Sequence, residues 1–244
     1  MRRGVLILLT LLLAACGWLA YQFWDWRSGK IAMLEPPAKL AQSAPQSPAE
    51  PARLLLFGDS RIAQWKPAPD RDFPIIVEGH PGQTAIRLAP RFAAVIAADR
   101  PAAAILQLGV NDAVAAAVVL PEKRAQALED SLSAIEQMAL IAQANGVSLT
   151  IMAVIPPVRP DLKRRILFRG AVDAYVEALN ARLPAVAARH GARFEDPMPR
   201  LTGPDGTVPD RFRRDSLHLT PAAYAALDPL VPYTLAAPLP ENAG

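Results

Sequence analysis

A single cysteine, Cys16, stands among 244 residues, and there are only three histidines: His80, His190 and His218. One thiol cannot close an intrachain disulfide, so the chain is not a cross-linked scaffold. Nor does it hold a cysteine cluster for zinc. Chemistry that needs an imidazole has three places to reside. Aromatic residues are sparse at 6%, and no RNA- or DNA-binding signature occurs. The 26 basic and 23 acidic side chains nearly cancel, leaving +3, too little to recruit a polyanion. Nucleic acid is therefore not an expected partner. What is plentiful is apolar: 52% of the residues are hydrophobic, ample for one sizeable domain with appendages.

The apolar residues are unevenly spread. Arg2 and Arg3 precede an apolar run over 4–13 broken only by Thr10, the layout of a secretory signal. Leu13-Ala14-Ala15-Cys16-Gly17 resembles a bacterial lipobox, in which Cys16 is acylated and becomes the mature N-terminus. A second reading is an uncleaved anchor. Apolar character continues to Trp24, about 20 residues, enough to span a bilayer. Trp18, Tyr21, Trp24 and Trp26 then form an aromatic belt, and the leading arginines stay cytoplasmic. A buried helix of the domain is a third reading. The first two place the rest of the chain in a bacterial cell envelope, on the periplasmic or extracytoplasmic side of a membrane.

Residues 27–52, with Pro36, Pro37, Pro45, Pro48 and Pro51, lack apolar periodicity and read as a semi-extended linker. At ~3.1 Å per residue it is long enough to hold a domain some tens of ångströms from the membrane. The expected organisation is an anchor over 1–26, this linker, and one domain over 53–244.

In that domain, short apolar runs at 54–57, 75–77, 103–108, 148–155 and 192–195 read as strands. Most are continuously apolar, as strands covered on both faces are. Helical stretches at 84–98, 121–145 and 170–190 alternate with them. Asn145-Gly146 and His190-Gly191 mark helix stops, and Thr220-Pro221 marks a final helix start. This alternation predicts a parallel, doubly wound α/β sheet.

Ligands of open α/β sheets sit beyond the carboxyl ends of the strands. Gly58-Asp59-Ser60 follows the first expected strand, Gly79-His80-Pro81-Gly82-Gln83-Thr84 the second and Gly109-Val110-Asn111-Asp112 the third. Three glycine-rich polar loops thus meet at one rim. A serine hydroxyl is a weak nucleophile without a base, and the base needs a partner to fix its tautomer. Asp215-Ser216-Leu217-His218 offers both from one loop before the last helix. His190 sits at a helix end away from the rim. His80 lies on the rim with Glu78 as its nearest acid, a second candidate base. Acyl transfer also needs donors for the developing oxyanion: the Ser60 N–H, the Gly82 N–H and the Asn111 amide are candidates. Asp59 and Asp112 read as acceptors that fix loops, with a metal site as the lesser alternative.

In chain order, Gly58-Asp59-Ser60, Gly82, Gly109-x-Asn111-Asp112 and Asp215-x-x-His218 resemble the four sequence blocks of the SGNH hydrolases, the GDSL esterase/lipase family. The resemblance runs from about Leu54 to Leu227. It implies a flavodoxin-like three-layer α/β/α sandwich with a parallel five-stranded sheet, without metal or cofactor. It implies that Ser60 is the nucleophile, His218 the base and Asp215 its orienting acid, with Ser60, Gly82 and Asn111 forming the oxyanion hole. Two positions depart from the family pattern. Arg61 stands where the family name implies leucine, and Val77 where many members have asparagine.

The resulting expectation is an exported, membrane-tethered serine esterase with a monomeric catalytic domain, acting by hydrolysis or acyl transfer. Envelope-derived O-acetyl glycans, lysophospholipids and short acyl esters are candidate substrates. Arg159, Lys163, Arg164, Arg165 and Arg169, with Arg211, Arg213 and Arg214, suggest an anionic substrate. The alternative is a non-catalytic envelope-binding module that keeps the fold.

Overall fold

The computed structural model describes residues 2–36, 47–49, 51–157, 170–232 and 235. In chain order it contains α1 (Arg2–Ala32), β1 (Leu54–Gly58), α2 (Ser60–Gln64), β2 (Ile75–Gly79), α3 (Ala85–Asp99), β3 (Ala103–Gln107) and α4 (Val110–Val118). There follow α5 (Pro121–Ala144), β4 (Ser148–Met152), α6 (Ala171–Arg189), β5 (Arg193–Glu195), α7 (Met198–Leu201) and α8 (Pro221–Leu227). The five strands form one parallel sheet in the order β2-β1-β3-β4-β5.

The continuously apolar first run explains the layering. Leu54, Leu55, Leu56 and Phe57 are all fully buried. Because strand side chains alternate, Leu55 and Phe57 join one core with Phe92 of α3, Ile135 and Met138 of α5 and Leu179 of α6. Leu54 and Leu56 join a second core with Ile62 of α2, Leu201 of α7 and Tyr224 and Leu227 of α8. The sheet is thus the middle of three layers, the flavodoxin-like arrangement expected from the family resemblance. Its strand order reverses direction between β1 and β3, the switch point where such sheets take ligands.

Two elements differ from the sequence reading. The segment after Gly109, taken as a loop, is the helix α4, whose side chains from Val110 to Ala117 are buried apart from Asn111. The fourth strand ends at Met152 rather than at 155, although Ala153 still donates to the Glu195 carbonyl at 2.9 Å.

Val5–Ala32 of α1 is long and apolar enough, by length and composition, to cross a membrane. Cys16 is exposed in the middle of it. The helix continues to Ala32, past the boundary expected at Trp26, and its end contacts the domain; residues 37–46 of the expected linker lie outside the described residues. Arg27 Nε donates to the Val118 carbonyl at 3.0 Å, the Thr84 hydroxyl donates to the Met33 carbonyl, and Trp26 and Leu34 pack against the first core. Ala49 donates to the Arg100 carbonyl, at the far end of α3 from Thr84, at 2.8 Å.

Candidate active site

β1 lies between β2 and β3, with Gly58 opposite both Gly79 and Gln107. A Cβ on Gly58 would stand 1.8 Å from the Gln107 carbonyl oxygen, so only glycine lets the strand ends close this tightly. Asp59 follows as the N-cap of α2, its Oδ1 accepting from the Arg61 N–H at 2.9 Å. Ser60 is the first helical residue. Its N–H is one of the helix's orphan donors, and its hydroxyl stands at the carboxyl rim.

The predicted partners of Ser60 converge on it. His218 Nε2 lies 3.2 Å from Ser60 Oγ, and His218 Nδ1 lies 2.7 Å from Asp215 Oδ2. Asp215 Oδ1 accepts from the N–H groups of Leu217 at 2.7 Å and His218 at 2.9 Å. Partial burial pulls the Asp215 carboxyl upward, but these two donors and the imidazole outweigh it and hold Asp215 at about 2. The turn is closed by Arg214 N–H on the His218 carbonyl at 3.0 Å. It is followed at once by the expected N-cap, Thr220, which accepts from Ala223 N–H.

The other two loops also meet. Gly82 adopts φ +77°, the left-handed region that favours glycine, in a turn closed by Gln83 N–H on the His80 carbonyl at 3.3 Å. Asn111 occupies the first turn of α4, and its Nδ2 donates to the Gln83 carbonyl at 3.1 Å. That bond ties the exit of β3 to the loop of Gly82. An amide NH₂ carries two hydrogens, so one remains after this contact.

The other histidines are engaged elsewhere. His80 packs edge-on against Phe57 at 5.6 Å and lies 3.4 Å from Glu78. Burial, with Arg91 nearby, lowers its affinity for a proton despite Glu78. His190 caps the end of α6 and contacts Glu136 at 3.0 Å.

Arg61 is the residue whose importance the sequence hid. Its side chain is 2% exposed. Nε donates to the Leu217 carbonyl at 3.0 Å, Nη1 to Ile155, and Nη2 to Pro156 at 3.5 Å. It therefore joins the helix of Ser60 to the loop of His218 and to the exit of β4. Desolvation lowers the Arg61 pKa, and the charge of buried Asp59 opposes that most. A basic residue in a position expected to be apolar was the only available signal. Asn180 makes a comparable clamp, accepting from Val154 N–H at 2.8 Å and donating to its carbonyl at 2.9 Å.

Asp112, fully buried, accepts from Ala85 N–H at 2.9 Å and from the Ser131 hydroxyl at 2.8 Å, and so holds α3 and α5 against α4. Burial raises its carboxyl to about 6, although both hydrogen bonds oppose the rise. The folded state therefore prefers the protonated acid. This contribution to stability is complete below about 4 and is lost as pH rises through about 6. Asp112→Asn is expected to flatten the corresponding fall in Tm between pH 4 and 6. Melting curves across that range check it, and an unaltered slope would remove Asp112 as its source.

Of the basic residues read as substrate-facing, those from Arg159 to Arg169 lie outside the described residues. Arg213 pairs with Asp210, and Arg211 sits 4.6 Å over the Phe212 ring. Arg214 is exposed.

Solved structures share this architecture. A GDSL-like lipase from Bacteroides thetaiotaomicron superposes with a TM-score of 0.59 at 21% identity, over 85% of this chain and 94% of that one. An aryl esterase from M. smegmatis gives 0.54 at 20% identity, over 74% and 96%. A carbohydrate acetylesterase from Sinorhizobium meliloti gives 0.55 at 15% identity, over 74% and 96%. No curated protein sequence matches. These likenesses establish the fold. The sequence itself goes further, because the model of the GDSL-like lipase/acylhydrolase family matches residues 56–226, from β1 to the helix that follows His218: the chain belongs to that family.

Proposed function

We propose that the protein is a membrane-tethered serine esterase of the cell envelope, with Ser60 as nucleophile, His218 as general base and Asp215 as its orienting acid. The observation that carries this reading is the unbroken contact chain from Asp215 through both ring nitrogens of His218 to Ser60 Oγ. Ser60 Oγ attacks the ester carbonyl carbon and passes its proton to His218 Nε2. Asp215 stabilises the imidazolium through Nδ1–H. The carbonyl oxygen becomes an oxyanion, received by the Ser60 and Gly82 N–H groups and the remaining Asn111 hydrogen. The ester C–O bond breaks, and the leaving alkoxide takes the proton from His218. Water, deprotonated by His218, then releases the acid and restores the Ser60 hydroxyl. An alcohol in place of water gives acyl transfer.

In this reading α1 is retained as the tether. Cys16 lies mid-helix, with apolar residues continuing to both sides, unlike the polar, flexible sequence that follows the lipid of a mature lipoprotein.

A fluorophosphonate probe tests the reading. The full chain is expected to be labelled stoichiometrically, and Ser60→Ala to lose all labelling while keeping its melting profile. Absence of labelling in folded wild-type protein would favour the non-catalytic binding module instead.

A further inference from the structure

The anchor does not leave the domain at an arbitrary place. Large apolar side chains of α1 are widely exposed up to Trp24, and partial coverage by the domain begins at Trp26. At ~1.5 Å per residue, residues 5–24 span about 30 Å, the thickness of a bilayer's hydrocarbon core. Trp18, Tyr21, Trp24 and Trp26 then fall on the last turns before the domain, where aromatic side chains favour the membrane interface. Contact with the domain begins at the last residue of that belt, Trp26, which packs against the first core, and continues with Arg27 Nε on the Val118 carbonyl. With residues 5–24 in the bilayer, the described contacts put the domain against the membrane surface.

The gripped elements identify which side of the domain is there. Thr84, which holds Met33, directly follows Gln83, and Gln83 is the partner of Asn111. That attachment belongs to the carboxyl edge of the sheet, the edge that carries Ser60. Val118, the second attachment, ends α4, the short helix whose first turn holds Asn111. Two separated attachments also prevent the domain from swivelling freely about α1. Beside them stands Leu120, two residues beyond Val118 and 52% exposed, the most exposed large apolar side chain of the domain among the described residues. An isolated exposed leucine means little; one beside the exit of a membrane helix extends the apolar surface of that helix.

We propose that the carboxyl edge of the sheet lies on the bilayer that holds α1, with Leu120 inserted at its interface, so that the Ser60 site receives acyl esters borne by that membrane rather than esters free in solution. The docking stands on the anchor geometry; the substrate class rests on the serine-esterase reading above. Confinement of enzyme and ester to one surface raises their effective concentration without any added contact.

The test uses the full chain in nanodiscs of phosphatidylethanolamine and phosphatidylglycerol. A fluorophore is placed at Leu120→Cys or, on the opposite edge of the sheet, at Ser148→Cys, both in a Cys16→Ser background, with nitroxide-bearing lipids as quenchers. Strong quenching at position 120 and little at 148 is expected; equal quenching, or none at 120, overturns the docking. Turnover is then compared for an ester on a phospholipid tail and for the soluble ester of the same acyl group. Leu120→Asp is expected to lower turnover of the lipid-borne ester about tenfold and leave the soluble ester unchanged. Equal loss on both, or loss on neither, overturns the substrate assignment. Quenching at 120 without turnover of either ester by the wild-type chain upholds the docking and sinks the esterase reading.

Discussion

His218→Ala is expected to lower kcat for a chromogenic ester by three to six orders of magnitude, with KM changed little. The hydroxyl of Ser60 then has no acceptor for its proton, and the 3.2 Å contact to Nε2 is the only imidazole contact it makes among the described residues. What activity survives is that of the oxyanion donors and of substrate binding, on the order of 10³ over water. Because Ser60 and His218 act as a unit, the double variant should be no slower than either single one. Asp215→Asn is expected to cost on the order of 10⁴ for a different reason. Oδ1 is occupied by two backbone N–H groups, so the asparagine oxygen is drawn there and its NH₂ faces Nδ1. That arrangement selects the tautomer with its proton on Nε2, which cannot accept from Ser60. Steady-state kinetics on purified variants check all three. A His218 variant of nearly wild-type kcat, with a His80 variant crippled, would transfer the role of base to His80.

Arg61→Leu restores the residue that the family pattern implies, yet it is expected to destabilise this chain by about 3–5 kcal/mol, since each buried acceptor left without its donor costs about 1–3 kcal/mol. Three carbonyls, of Ile155, Pro156 and Leu217, lose their donor, and the Asp59 carboxyl, which burial already pushes up, loses the nearby charge that opposes that rise. Set against a typical domain stability of about 5–15 kcal/mol, this is a large share. If Asp59 is the partner that suffers, Asp59→Asn in the Arg61→Leu background should recover part of the loss, and a double-mutant cycle should show a coupling above about 0.5 kcal/mol. Arg61→Lys keeps the charge but not the fork of donors. It should recover more stability than kcat, since a single ammonium cannot hold Leu217 and the β4 exit together. Urea denaturation beside kinetics decides this. A loss below about 0.5 kcal/mol in Arg61→Leu would show that the carbonyls find water instead.

Much of the fold was legible because the strands are covered on both faces. The unbroken apolar runs of β1 and β3 betray that burial, and the polar residues just after them had to lie at the carboxyl edge. The histidine that stands beside Ser60 was legible by scarcity, since His190 ends a helix and His80 precedes its own turn. α4 was not legible: the glycine and asparagine at 109 and 111 read as a loop, while the alanines beyond them carry a helix that is buried along nearly its whole length. The role of Arg61 was hidden for another reason. Its partners lie 94, 95 and 156 positions away, and local pattern says nothing about contacts over such distances. The grip on α1 was invisible on the same account, since Arg27 reaches 91 positions ahead and Met33 is held from 51 positions ahead.

Ser60 follows the first strand of the domain, and His218 precedes its last helix, 158 positions later. Strands β1, β2 and β3 all come from the amino-terminal half, so that half already contains the serine, its rim and the loops of all three proposed oxyanion donors. On the proposed reading the base, His218, lies beyond it. A chain cut or stalled before residue 218 would then carry an inert hydroxyl, and reactivity toward esters would report that the whole domain, from one end to the other, has come together.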